Sequence, residues 1–284
     1  MTENTSTKQS AGSQFSASDF VLNCSTLLTE LPINERPAAA RAAGFTEIEF
    51  WWPFDGKPVP TNQEVDAFIQ AIQDAGVRLV GLNFWAGTMT DGDRGRVSTV
   101  GESSAFAESC AVTADIGKRT GCSAFNALYG LRQPDVAVEE QQALAVQNLV
   151  TAAQAVAPIG GTVLLEPVSG AENYPLQSAA DALDVINDVR TGGNETRSVQ
   201  NIALLADFYH LAVNGDDVGQ VIENHSDEIG HIQIADNPGR GAPGTGELPL
   251  FDWLARVRDL GYTGKVGLEY KQDTATAFNW LIRR

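Results

Sequence analysis

Basic residues are scarce in this chain. Its 284 residues hold 19 Lys and Arg against 36 Asp and Glu, for a formal net charge of -17. No Lys/Arg cluster marks a phosphate-binding face, and so acidic a surface repels nucleic-acid backbones, which excludes that partner class. Cysteine is nearly absent: Cys24, Cys110 and Cys122 are an odd number without close pairing. A disulfide framework is therefore not expected. The three read as small buried hydrophobes in a reducing, cytoplasmic interior. No stretch approaches the roughly 18 apolar residues that span a bilayer, so no membrane partner is expected. Residues 1–19 are polar and Ser/Thr-rich, without the apolar stretch of a signal peptide, and read as a disordered tail. A Gly-x-Gly-x-x-Gly turn, the mark of a doubly wound dinucleotide fold, does not follow the first strand candidate.

What is present is alternation. A hydrophobic fraction of 43% is enough for a full core. Strand candidates VLNCSTLL (21–28), EIEFWW (47–52), VRLVGLNFW (77–85) and SAFNALYG (123–130) are separated by amphipathic helices, several closed by glycine, such as Gly44 and Gly76. Four further apolar runs follow: TVLLEPV, IALLADFYH, IGHIQIAD and VGLEYK, with helices near 177–190, 216–228 and 250–260. The last stretch, TATAFNWLIRR, reads as a closing helix. The strands are continuous apolar runs, as parallel strands buried on both faces require. Eight such units over residues 20–284 predict one α/β domain, a single (β/α)8 TIM barrel. Two longer loops, 86–101 and 237–249, follow strand C-termini and belong to the active-site face.

Each of the last four runs stops at a polar side chain that can bind a metal: Glu166, Asp207, Gln233 and Glu269. The gaps between them are 41, 26 and 36 residues, each about one strand-plus-helix unit. On consecutive parallel strands these ends meet on one face. Two glutamates, an aspartate and a glutamine converging there form a hard-cation site, suited to Mg2+ or Mn2+. Glu166 and Glu269 sit deep in apolar context, where a charge costs several kcal/mol unless paired or metal-bound. His210, three residues beyond Asp207, reaches the same pocket. Glu172 can reach in from the loop after Glu166. Arg240 and Lys271 are candidate partners for a substrate carboxylate. His231 shares a strand face with Gln233 and is either its supporting partner or interior filling.

The motifs LLEPV, ADFYH, GHIQIADNPGR followed by PGTGE, and GYTGKVGLEYK, with STLLTELPINERPAAARAAGFTEIEFWWP near the start, resemble the hydroxypyruvate isomerase family of the xylose-isomerase-like barrels. The resemblance covers residues 20–284. It implies that Glu166, Asp207, Gln233 and Glu269 bind a divalent metal ion and that Glu166 and Glu269 are the catalytic acid/base pair. It also implies that His210, Glu172 and Arg240 contact substrate. The loop GTMTDGDRG departs from the family, yet it places Arg94 suitably for a substrate carboxylate. Lys271 stands where members often carry Arg, keeping the charge without the bidentate fork. The segment SGAENYPLQ is short for the family. The expected reaction is isomerisation of a small α-hydroxy carbonyl acid through an enediolate, hydroxypyruvate to tartronate semialdehyde. A 2-oxo-tetronate type isomerase and a ketose 3-epimerase are the alternatives, the latter usually showing His at position 233. A metallo-endonuclease would need more histidines than the three here. A non-catalytic sugar-binding scaffold would not need two buried carboxylates. The expected partner is a small-molecule substrate, with a homo-oligomer possible.

Overall fold

The computed structural model describes residues 15–54, 56–192 and 199–281. Eight parallel strands close on themselves in sequence order: β1 (Val21–Asn23), β2 (Glu47–Phe50), β3 (Arg78–Asn83), β4 (Ala124–Asn126), β5 (Thr162–Leu165), β6 (Ile202–Asp207), β7 (Ile229–Ile234) and β8 (Val266–Leu268). Helices α1 (Arg36–Ala42), α2 (Asn62–Ala75), α3 (Ser103–Thr120), α4 (Val138–Val156), α5 (Ala179–Thr191), α6 (Phe208–Asn214), α7 (Val218–His225) and α8 (Leu250–Asp259) link successive strands. This is the (β/α)8 barrel that the alternation predicts. Among the described residues no helix is long and apolar enough to cross a membrane.

Local chemistry sets the helix limits. Thr61 and Glu64 form a reciprocal capping box at the start of α2, and Gly76 closes it in the left-handed conformation at φ 63°. Ser178 and Asp181 repeat the box at α5. The strands are shorter than their apolar runs. β1 ends at Asn23 and β4 at Asn126; Cys24 N–H and Ala127 N–H still donate to the Glu49 and Leu164 carbonyls at 2.9 Å each, and the chain then leaves the sheet. The helix expected near 216–228 is α7; a separate short helix, α6, precedes it and is closed by Gly215 (φ 95°). The expected closing helix is instead a series of turns over 274–280, and residues 282–284 lie outside the described residues. Tertiary packing overrides propensity there: Phe278 packs edge-on to Phe45, Trp280 edge-on to Phe20, and Tyr270 Oη donates to the Ala277 carbonyl at 2.6 Å.

The expected tail runs to residue 19, but Phe15 stacks on Phe251 and Ala17–Asp19 form a 3-10 turn. Residues 1–14 lie outside the described residues. Cys24, Cys110 and Cys122 are free and buried, as expected.

Both long loops are pinned over the mouth. In the first, Ser98 N–H donates to the Tyr129 carbonyl at 2.7 Å and Gly130 N–H to the Arg94 carbonyl at 3.0 Å. A side chain at Gly95 would drive its Cβ into the Leu128 carbonyl, so the close approach requires glycine. In the second, the Asp236 carboxylate accepts from the backbone N–H of Asn237, Gly244 and Leu248 at 2.9, 2.8 and 3.1 Å.

Candidate active site

Parallel pairing delivers the strand ends to one plane. Asp207 on β6 is level with Gln233 on β7, which is level with Gly267 on β8, two residues before Glu269. Glu166 follows the last residue of β5 directly. Glu166, Gln233 and Glu269 are each 4% exposed, and Asp207 is fully buried. These four expected residues therefore converge.

Asp207 serves two functions. Its Oδ1 caps α6, accepting from Tyr209 N–H at 2.8 Å and His210 N–H at 3.3 Å. Its Oδ2 is buried without a hydrogen-bond partner, and so is Gln233 Oε1. Buried oxygens left unpartnered are costly, and these two are hard donors on adjacent strands. The donor set thus fits a divalent cation of the Mg2+ or Mn2+ type. Ligand atoms of Glu166, Asp207 and His210 lie within 4.8 Å of one another, so distance alone admits a triad that includes the histidine.

The tautomer of His210 argues against its coordinating. Its Nδ1 accepts from the Ser169 backbone N–H at 3.0 Å and lies 2.7 Å from Ser169 Oγ. A backbone N–H can only donate, so Nδ1 carries the lone pair and the neutral ring keeps its proton on Nε2. Nε2 lies 3.5 Å from Asp207 Oδ2 and 3.9 Å from Glu166 Oε1. Burial, with Arg240 and Arg94 nearby, lowers the His210 pKa to about 4. A neutral N–H donor beside the Asp207 and Glu166 carboxylates suits a substrate oxygen.

The two glutamates are held differently. Glu166 Oε2 accepts from Asn126 Nδ2 at 2.7 Å, and burial plus the neighbouring Asp207 raises its pKa to about 8. Tyr174 Oη fixes its backbone, donating to the Glu166 carbonyl at 3.0 Å while accepting from Tyr129 N–H at 3.0 Å. Burial also raises the pKa of Glu269, opposed by Arg240, whose Nη2 donates to Oε1 at 2.6 Å. The same Nη2 is 3.6 Å from Asp207 Oδ2, and the guanidinium carbon lies 5.3 Å from the centre of the Tyr209 ring. Arg240 takes a left-handed backbone, φ 54°, with its carbonyl accepting from Lys271 N–H at 2.7 Å.

The remaining expected residues sit farther out. Arg94 is half-buried, donates to the Met89 and Asp93 carbonyls at 3.2 and 2.7 Å, and is near enough to lower the His210 pKa. Glu172 and Lys271 are exposed on the mouth loops. Their side chains are not part of the buried cluster.

Of the layer beneath, the sequence singled out His231 but not Glu49 or Asn23. Glu49, 3% exposed, lies under the site. It accepts from His231 Nε2 and Gln233 Nε2 at 2.7 Å each and from Asn23 Nδ2 at 2.9 Å. Asn23 Nδ2 also reaches Glu269 Oε2 at 3.2 Å. Burial works against the Glu49 charge, but His231 and the two amides hold its pKa below the usual carboxylate range. The signal was available: EIEF carries charge inside an apolar strand, the same anomaly that singled out Glu166.

Closed parallel barrel and buried carboxylate–histidine–arginine cluster at the strand C-termini together define a barrel of the enzyme class. The chain belongs to the xylose isomerase-like TIM barrel family, whose model matches residues 37–284. It is 50% identical over 94% of its length to a putative hydroxypyruvate isomerase of Streptomyces coelicolor, of which the match spans 96%. It is 29% identical to the hydroxypyruvate isomerase of Escherichia coli, covering 92% of this chain and 97% of that one. A 2-oxo-tetronate isomerase of Haemophilus influenzae is 26% identical over the same shares, 92% and 97%. Among solved structures, one titled AP endonuclease, family 2, from Brucella melitensis superposes with a TM-score of 0.80 at 26% identity, covering 93% and 97% of the two chains.

Proposed function

We propose that this chain is a divalent-metal-dependent isomerase of small α-hydroxy carbonyl acids, acting on hydroxypyruvate. The observation that carries the reading is the meeting of two buried glutamates with two buried oxygens that accept no hydrogen bond, Asp207 Oδ2 and Gln233 Oε1, at one barrel mouth. The names of the relatives support isomerisation. Glu166, Asp207, Gln233 and Glu269 would hold the cation, which supplies Lewis-acid polarisation of the substrate carbonyl and hydroxyl oxygens.

The chain's own residues do the rest. One glutamate takes the proton from C3 of hydroxypyruvate, and a proton is delivered to C2. The hydroxyl proton moves from the C3 oxygen to the C2 oxygen, giving tartronate semialdehyde with no redox partner. The His210 Nε2–H donates to a substrate oxygen as negative charge develops on it. Arg240 and Arg94 receive the substrate carboxylate. The cytoplasm fits three unpaired cysteines.

A 2-oxo-tetronate, one carbon longer, undergoes the same chemistry. The similarity to the Haemophilus influenzae enzyme favours it as the second reading. Solvent-deuterium incorporation over a panel of three- to six-carbon hydroxy-keto acids and ketoses tests both. Exchange with hydroxypyruvate and none with ketoses is expected; exchange confined to ketoses would overturn the assignment.

A further inference from the structure

We propose that Glu49 is a positioning residue: it fixes which way the Gln233 side-chain amide points, so that Gln233 Oε1 faces a divalent cation. This rests on the metal-dependent reading above.

An amide has a donor end and an acceptor end of nearly the same shape, and nothing in its covalent structure chooses between them. Glu49 chooses. An ionised carboxylate only accepts, so Gln233 must turn Nε2 toward Glu49 Oε1, where it sits at 2.7 Å. Oε1 is then directed away and left without a partner. With the amide reversed, an N–H pair would face the cation.

Glu49 is itself held from three sides. His231 Nε2 takes Oε2 at 2.7 Å, and Asn23 Nδ2 takes Oε1 at 2.9 Å. Asn23 cannot reverse, because its Oδ1 accepts from Ser25 N–H at 2.9 Å. Glycines on β3 and β8 make room. A Cβ at Gly267 on β8 would lie 2.6 Å from Glu49 Oε1, and one at Gly81 on β3 would lie 3.0 Å from Glu49 Cβ. Two glycines thus leave the space that this carboxylate fills. The arrangement parallels the carboxylate that fixes the tautomer of a metal-bound histidine.

Glu49→Gln tests this in the full chain, because a glutamine at 49 can serve Gln233 with either end. Mn2+ affinity is read by calorimetry and by the electron spin resonance of free Mn2+, alongside the melting temperature without metal. Glu49→Gln is expected to weaken Mn2+ binding at least about tenfold. Gln233→Ala should weaken it as much or more. The double variant should bind within about twofold of Gln233→Ala alone, since Glu49 acts only through that side chain. Losses that multiply in the double variant would mark a general structural role and overturn the proposal. So would an unchanged Glu49→Gln affinity beside a weakened Gln233→Ala. A wild-type chain that binds no Mn2+ overturns the metal reading itself, and this inference with it. Should Glu49→Gln not fold, the wild-type chain still decides. The Gln233 side-chain 15NH2 pair, identified by its loss in Gln233→Ala, should stay protected from solvent exchange when Mg2+ is added. Rapid exchange on adding Mg2+ would show an amide not held by Glu49.

Discussion

Arg240 Nη2 donates to Glu269 Oε1 at 2.6 Å while lying 3.6 Å from Asp207 Oδ2. One guanidinium therefore supplies the positive charge between two carboxylates that a divalent cation would otherwise balance. Burial opposes its charge, but Glu269, Asp207 and Glu166 hold its proton more tightly than usual. Replacing it leaves buried carboxylates uncompensated. Arg240→Gln should destabilise the metal-free protein by about 3 kcal/mol, the lower end for breaking a buried pair, because the orphaned acid can take up a proton. The same variant should raise KM for hydroxypyruvate more than it lowers kcat. Urea unfolding without metal and steady-state kinetics with it check the two halves. An unchanged KM would remove Arg240 from the substrate contacts.

Glu166→Gln and Glu269→Gln keep the shape of each side chain and delete its proton chemistry. Each should lower kcat by at least about a thousandfold, within the range general acid–base catalysis contributes, while circular dichroism stays native. Retained turnover in either variant would take that residue out of the acid/base pair.

Chelation should abolish turnover, and Mg2+ or Mn2+ should restore it. Because the cation binds the folded state, saturating metal should also raise stability, by about 2.7 kcal/mol at a hundredfold excess over Kd. Calorimetric melting with and without chelator reads this. A melting temperature indifferent to metal would count against the site.

The metal-free protein should show a characteristic pH dependence. Glu166 has a folded pKa of about 8, above its ordinary 4.5, so the folded state binds the extra proton and its stabilising effect fades as pH rises between those values. Glu269 acts in the same sense. His210, lowered from 6.5 to about 4, works the other way, losing stability as pH falls through that range. From pH 6.5 to 8 the glutamates outweigh the fading His210 contribution, so stability should fall with rising pH there. Glu166→Gln should flatten that slope, which urea titrations at fixed pH would measure. An identical slope in the variant would contradict the raised pKa.

Tyr174→Phe removes one hydroxyl that donates to the Glu166 carbonyl and accepts from Tyr129 N–H. The buried N–H is left unsatisfied, so the variant should lose about 1–3 kcal/mol of stability. Turnover should fall modestly, because the Glu166 carboxylate keeps its Asn126 partner. Stability equal to wild type would show that the clamp contributes nothing.

The barrel and half of its site are written locally. Period and length mark each strand and helix, since an apolar run bounded by caps reports its own burial. Glu166, Asp207, Gln233 and Glu269 are legible for the same reason: each is a polar group inside or ending an apolar run, at one-unit spacing. Strand ends and the closing segment are less legible, because whether residues beyond Asn23 or Asn126 continue pairing depends on the neighbouring strand.

What only the tertiary structure decides is how those groups are held. Glu49 meets His231 and Gln233 across 182 and 184 residues, a pairing that closure of the barrel creates. The tautomer of His210 is set by the Ser169 backbone, 41 residues away. Arg240 reaches Glu269 because Asp236 folds its loop back over the mouth. Sequence chose the donors and acceptors; hydrogen-bond direction and charge balance are properties of pairs, and the fold makes the pairs.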